Sequence, residues 1–128
     1  MKDPEGTTIQ KIDTITFRVV DLQRSLHFYG EILDLKFSQQ SASAAEILLN
    51  GVRLLLHVDT DPSLKDSSAP RGAGMDLHFW VSDVDACYQK LLRRGVHLDE
   101  QPANHPWGRE FAVKDPDGYR IELIGPST

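Results

Sequence analysis

Two stretches of this chain repeat one another at about half its length. Phe17-Arg18-Val19-Val20-Asp21-Leu22 is echoed by Phe79-Trp80-Val81-Ser82-Asp83-Val84, an offset of 79 − 17 = 62 in a chain of 128 residues. A repeat of that length is one supersecondary unit used twice. Each copy reads as a strand entering a helix. Ile15, Phe17 and Val19 alternate with Thr14, Thr16 and Arg18, and Leu77, Phe79 and Val81 alternate with Asp76, His78 and Trp80. Such a period of two marks a sheet with unlike faces. Asp21 and Asp83 are positioned as N-caps. The first helix places Leu22, Leu26, Tyr29 and Leu33 on one stripe; the second places Val84, Cys87, Tyr88 and Leu91, and Gly95 ends it.

Shorter strands follow each helix. Ala44–Leu49 and Val52–Val58 flank Asn50-Gly51, a tight-hairpin signal. Arg109–Lys114 and Tyr119–Ile124 flank the turn Asp115-Pro116-Asp117-Gly118. Further strands are expected near Lys36–Gln40 and Val96–Leu98. The expected architecture is α+β, one domain over residues 1–128. It consists of two βαβββ modules (about 12–59 and 75–125), joined by a Pro/Ser/Gly/Asp-rich linker at 60–74, in a curled mixed sheet around a cleft. The apolar strand faces meet the helices. The opposite faces gather Thr, Arg, Asp, His, Trp and Glu, which need water or a ligand to receive them.

Composition narrows the function classes. A net charge of −5 supplies no basic excess for nucleic acid. The Arg93-Arg94 doublet falls at a helix end, where it suits the dipole. No apolar run approaches a membrane span, and the polar start lacks a signal-peptide core. With Cys87 as its one cysteine, the chain has no internal disulfide, and a cytoplasmic location is expected.

The motif Val19-Val20-Asp21-Leu22-Gln23-Arg24-Ser25-Leu26-His27-Phe28-Tyr29, followed late by Asp115-Pro116-Asp117-Gly118-Tyr119-Arg120-Ile121-Glu122-Leu123, resembles the vicinal oxygen chelate superfamily. That group includes glyoxalase I, fosfomycin-modifying enzymes, extradiol dioxygenases and bleomycin resistance proteins. Pro106-Trp107-Gly108-Arg109-Glu110-Phe111 is similar to the bleomycin-resistance branch. The resemblance covers roughly residues 12–125 and implies paired βαβββ modules around a cleft and a homodimer with an apolar interface. Carried over residue by residue, the metal-ligand positions of the family's enzymes fall on Thr14, Leu55, Asp76 and Glu122. Only Glu122 keeps the usual chemistry, so the resemblance implies a cavity with no metal cofactor. The alternative is a displaced set, His57, His78 and Glu122, holding a divalent metal such as Fe, Mn, Ni or Zn for a lyase, isomerase or dioxygenase.

The expected ligand-binding residues are Trp80, Trp107, Arg18, His57, His78, Asp76, Glu122 and Arg109. Trp80 and Trp107 offer flat faces for an aromatic or cationic compound, against ordinary packing as the alternative. Arg18 suits an anion or a salt bridge to Glu122. Arg109 suits a ligand or a pairing with Asp115 or Asp117. The histidines otherwise line the pocket. The expected function is binding or sequestration of a small molecule without a metal. Metal-dependent catalysis and a sensor or accessory role are the alternatives, and no catalytic residue is singled out.

Overall fold

A computed structural model describes residues 4–60 and 71–128. Most of the expected linker, 61–70, lies outside the described residues. Among the described residues eight strands form two four-stranded sheets. In the first, β1 (Thr14–Val19), β2 (Phe37–Gln40), β3 (Ala44–Leu49) and β4 (Val52–Val58) lie in the order β1-β4-β3-β2. In the second, β5 (Asp76–Trp80), β6 (Ala103–His105), β7 (Gly108–Lys114) and β8 (Arg120–Gly125) lie in the order β5-β8-β7-β6. In each sheet the first strand runs parallel to the last and the other pairs are antiparallel. The two halves therefore share the βαβββ grammar of the repeat, and the sheets curl without closing. The second strand of the second half is β6, not Val96–Leu98. Val96 and Leu98 instead pack, partly buried, against the core. Among the described residues no helix is long and apolar enough to cross a membrane.

Local chemistry explains the elements. The Asp21 carboxylate accepts from the amides of Gln23 and Arg24 at the start of α1 (Leu22–Leu26). Asp83 accepts from Ala86 at the start of α2 (Val84–Arg93). Both satisfy amides that the first helical turn cannot pair. Asn50 and Gly51 both adopt positive φ, 48° and 79°, as a two-residue hairpin with strand-matched twist requires. Arg94 does more than complement a dipole. Its guanidinium donates to the carbonyls of Glu31 and Ile32 and pairs with Asp34 at 2.9 Å, tying the end of α2 to the first helical segment.

The first helix departs from a regular 3.6 period. After Leu26 it widens into a π-helical segment, His27–Ile32, and the Leu33 amide donates to the carbonyl of Phe28, five residues back. Leu22, Ser25, Phe28 and Tyr29 are consequently buried, while Leu26 and Leu33 are only partly so. Gly30 lets the Phe37 ring approach to where a Cβ would stand 2.8 Å away.

Tyr29 reaches across to the second half, and its hydroxyl donates to Asp115 Oδ2 at 2.7 Å. The amides of Asp117 and Tyr119 each donate to Asp115 Oδ1 at 2.9 Å. Burial raises the Asp115 carboxyl pKa, outweighing these bonds, which lower it. Burial, and then the facing carboxylate, push the Tyr29 phenol up. A raised folded pKa means that the native state keeps a proton the unfolded chain releases above 3.8. The stabilisation is full below that value and is lost as the pH rises through the folded pKa. Asp115→Asn should remove the slope, so the stability advantage of the wild type over that variant shrinks with rising pH. Denaturant midpoints measured on both proteins across the acid range test this; a constant difference would contradict it.

Candidate functional site

The polar face of the second sheet is built from β5, β7 and β8. The parallel β5–β8 register sets Asp76 against Arg120 and His78 against Glu122. Alternation puts all four side chains on the face away from Leu77, Phe79, Ile121 and Leu123, which join the core. His78 Nδ1 lies 3.0 Å from Glu122 Oε2 and 3.6 Å from Glu110 Oε2. Arg120 contacts Glu122 Oε1 through Nε at 3.1 Å and through a terminal nitrogen at 3.0 Å, and its Nε stands 3.5 Å from Asp76 Oδ1. Glu122 is only 7% exposed, whereas Asp76 and His78 open to solvent. A cavity of about 130 Å³ lined by Thr16, Phe17, Met75, Asp76, Tyr119 and Arg120 adjoins the group. A larger cavity of about 430 Å³, lined in part by Phe28, Ile32, Val96 and His97, also touches Arg120. Only the smaller one includes a member of the Asp76–His78–Glu122 group, so it is the better ligand space.

One ligand atom from each of Asp76, His78 and Glu122 can be chosen so that all lie within 4.8 Å of one another. An imidazole and two carboxylates suit Mn, Fe or Zn. Donors bound to one such ion at about 2.1 Å stand roughly 3.0–3.4 Å apart at octahedral or tetrahedral angles, so a pair at the 4.8 Å limit must close by more than about an ångström, a movement open to the exposed Asp76 and His78. The expected displaced set is corrected in one member. His57 belongs to the other sheet, opposite Arg18, and its Nδ1 meets the Val58 carbonyl at 2.7 Å. Asp76 takes the third place.

The first half carries the same ladder without the chemistry. Thr14 pairs with Arg53 and Thr16 with Leu55, where the second half pairs Asp76 with Arg120 and His78 with Glu122. The other expected residues scatter. Trp80 continues along β5 and is 66% exposed beside Leu33, Leu35 and Leu49. Trp107 is 61% exposed and stacks on His105, with centroids 4.8 Å apart and planes at 2°. His105 Nε2 in turn stands 3.8 Å from Glu110 Oε1, which joins that stack to the edge of the site. The Arg18 carbonyl accepts from the Tyr119 hydroxyl, and its guanidinium forms no ion pair among the described residues. Arg109 turns to the helix side and holds Asp85 of α2 with two bonds of 2.9 Å, not a ligand, Asp115 or Asp117. Glu110 and Arg120 are the site residues that the sequence reading missed. Glu110 alternates with Phe111, and once Phe111 is read as core, Glu110 must face the site.

A family model, the Glyoxalase/Bleomycin resistance protein/Dioxygenase superfamily, matches residues 11–123. The chain belongs to that superfamily. It is 29% identical over 119 residues to the metallothiol transferase FosB of Lysinibacillus sphaericus, spanning 91% of this chain and 82% of that protein. It is 25% identical over 118 residues to the glutathione transferase FosA of Serratia marcescens, spanning 90% and 80%. Among solved structures it is similar to TnmS3, an antibiotic binding protein from Streptomyces sp. CB03234, with a TM-score of 0.73, 30% identity and coverage of 94% and 99%. The expectation of a cavity without a metal cofactor does not stand. Relatives along most of the chain are metallothiol transferases, and the folded chain assembles a three-donor group in which His78 joins two of the carried-over ligand positions, Asp76 and Glu122.

Proposed function

We propose that this chain binds a divalent metal through Asp76, His78 and Glu122 and uses the site to transfer a thiol to a small oxygen-bearing molecule. The observation that carries this reading is the three-donor group on one sheet face. The metallothiol and glutathione transferases among its relatives support the thiol. When bound, the metal would polarise the oxygen substituents of the acceptor as a Lewis acid. In the balanced reaction a carbon–sulfur bond forms, a carbon–oxygen bond breaks, and the thiol proton ends on the released oxygen. Glu110 lies outside the three-donor set, and its Oε2 has no hydrogen-bond partner. That oxygen is covered and stands 3.6 Å from His78 Nδ1, so Glu110 would act on the imidazole rather than on the thiol directly. The two halves act as one domain, and pairing with a second copy would cover the exposed Trp80 and the neighbouring Leu49.

The test starts with calorimetric titration of the metal-stripped chain with MnCl2 and with ZnCl2. Loss of free thiol is then followed with glutathione or cysteine and a small epoxide, and the same preparation is sedimented at about tens of micromolar. One metal per chain and metal-dependent thiol loss are expected from a dimer. The absence of any metal uptake would end this reading. A second reading, capture without turnover, draws on the two exposed tryptophans and on the likeness to an antibiotic binding protein. Metal uptake and quenching of tryptophan fluorescence by an aromatic ligand, with no thiol consumed, would favour it.

A further inference from the structure

We infer that Arg120 is a resident counter-cation of the metal site, which a divalent metal must displace in order to bind. The inference rests on the metal reading above. Arg120 is on the same strand and face as Glu122, two residues away, and sits opposite Asp76 in the β5–β8 register. Its guanidinium touches one oxygen of each carboxylate, at 3.0 Å and 3.5 Å. It therefore does between Asp76 and Glu122 what a cation coordinated there would do: it offsets the repulsion of two carboxylates gathered on one face.

The guanidinium and the metal cannot share that position. A dication and a guanidinium within a few ångströms repel each other strongly, even at the effective dielectric of a protein surface. Arg120 holds Glu122 Oε1 and stands by Asp76 Oδ1 while Glu122 Oε2 faces His78, so guanidinium and metal draw on the charge of the same two carboxylates. The arginine has room to leave. Its side chain is 41% exposed, and it borders the cavity of about 130 Å³ beside Thr16 and Met75. The first half shows that an arginine in this slot follows whichever carboxylates flank it. Arg53 occupies the equivalent ladder position opposite Thr14, where no such carboxylate pair exists, and turns instead to Glu46 at 2.6 Å and Asp13 at 3.2 Å. Arg120 thus holds the metal-free site together and lowers its affinity for metal, so that loading is an exchange of cations rather than simple entry.

The test is calorimetric titration of MnCl2 into the full metal-stripped chain as wild type, Arg120→Ala, Arg120→Gln, Lys114→Gln and Glu122→Gln, with the melting temperature of each metal-free protein. Both arginine variants should bind Mn²⁺ about tenfold more tightly than wild type, although their metal-free forms melt lower. Lys114 lies opposite Arg120 in the β7–β8 register. Neutralising it should leave affinity within about twofold, which separates exchange from a general loss of positive charge. Arg120→Gln keeps the length of the side chain and decides the matter if the alanine variant does not fold. Unchanged or weaker affinity in the arginine variants, in a wild type that binds Mn²⁺, overturns the exchange and leaves the metal reading standing. Uptake by none of the proteins overturns both.

Discussion

Glu122→Gln should remove divalent-metal binding, and His57→Ala should leave it intact. Glu122 is the buried member of the three-donor group, and its carboxylate meets both His78 and Arg120. Glutamine keeps the shape and still offers Arg120 an oxygen, so the sheet should survive. It removes the charge a divalent ion needs, and the affinity loss should exceed the roughly 10–100-fold typical of a residue that only supports a ligand. His78→Ala should act alike by deleting the imidazole donor. His57 lies in the other sheet and should not matter. Melting in the presence of metal gives a sharp readout. At a free metal concentration about 100 times its Kd, the wild type gains about 2.7 kcal/mol by mass action. Glu122→Gln and His78→Ala should gain nothing, while His57→Ala should shift like wild type. Metal-induced stabilisation that persists in Glu122→Gln would show that the metal sits elsewhere.

Arg71→Met should destabilise the fold by about 3–5 kcal/mol, the usual result of removing one partner from a buried ion pair. Arg71 stands 2.9 Å from Asp59 Oδ2 and 3.9 Å from Asp117 Oδ1, and the side chains of both acids are fully covered. Asp59 follows β4 of the first half. Asp117 lies in the turn before β8 of the second half, and its Oδ1 also accepts from the Val20 amide at 2.8 Å. The Tyr119 ring stacks on Phe17 alongside, at 4.1 Å and 8°. The cluster therefore fastens one repeat to the other, and methionine leaves two covered carboxylates without the cation that joins them. Urea denaturation measures the loss. Replacing Asp117 by asparagine as well should restore part of it, because that removes a covered charge while keeping an oxygen for the Val20 amide. A loss below about 1 kcal/mol for Arg71→Met, the scale of an exposed pair, would mean that the cluster is not a fastening.

The duplication and most of the elements are written in local sequence patterns. Alternation along Thr14–Val19 and Asp76–Trp80, capping by Asp21 and Asp83, and the reversals at Asn50-Gly51 and Asp115–Gly118 are local effects. They act over a few residues, so a one-dimensional reading captures them. The same alternation could have placed Glu110 on the site face and Arg109 on the helix face, since Arg109 shares its parity with the buried Phe111. The tertiary structure decided what the local terms leave free. The register of β5 against β8 joins residues 120 − 76 = 44 positions apart, and it alone puts Arg120 opposite Asp76 and Glu122 beside His78. A shift of that register by two residues would keep every side chain on its own face and yet dissolve the donor group, so facing parity could not tell His57 from Asp76 as the third member. The widening of the first helix at His27–Ile32 likewise belongs to the packed molecule, where the Tyr29 hydroxyl meets a carboxylate 115 − 29 = 86 residues away.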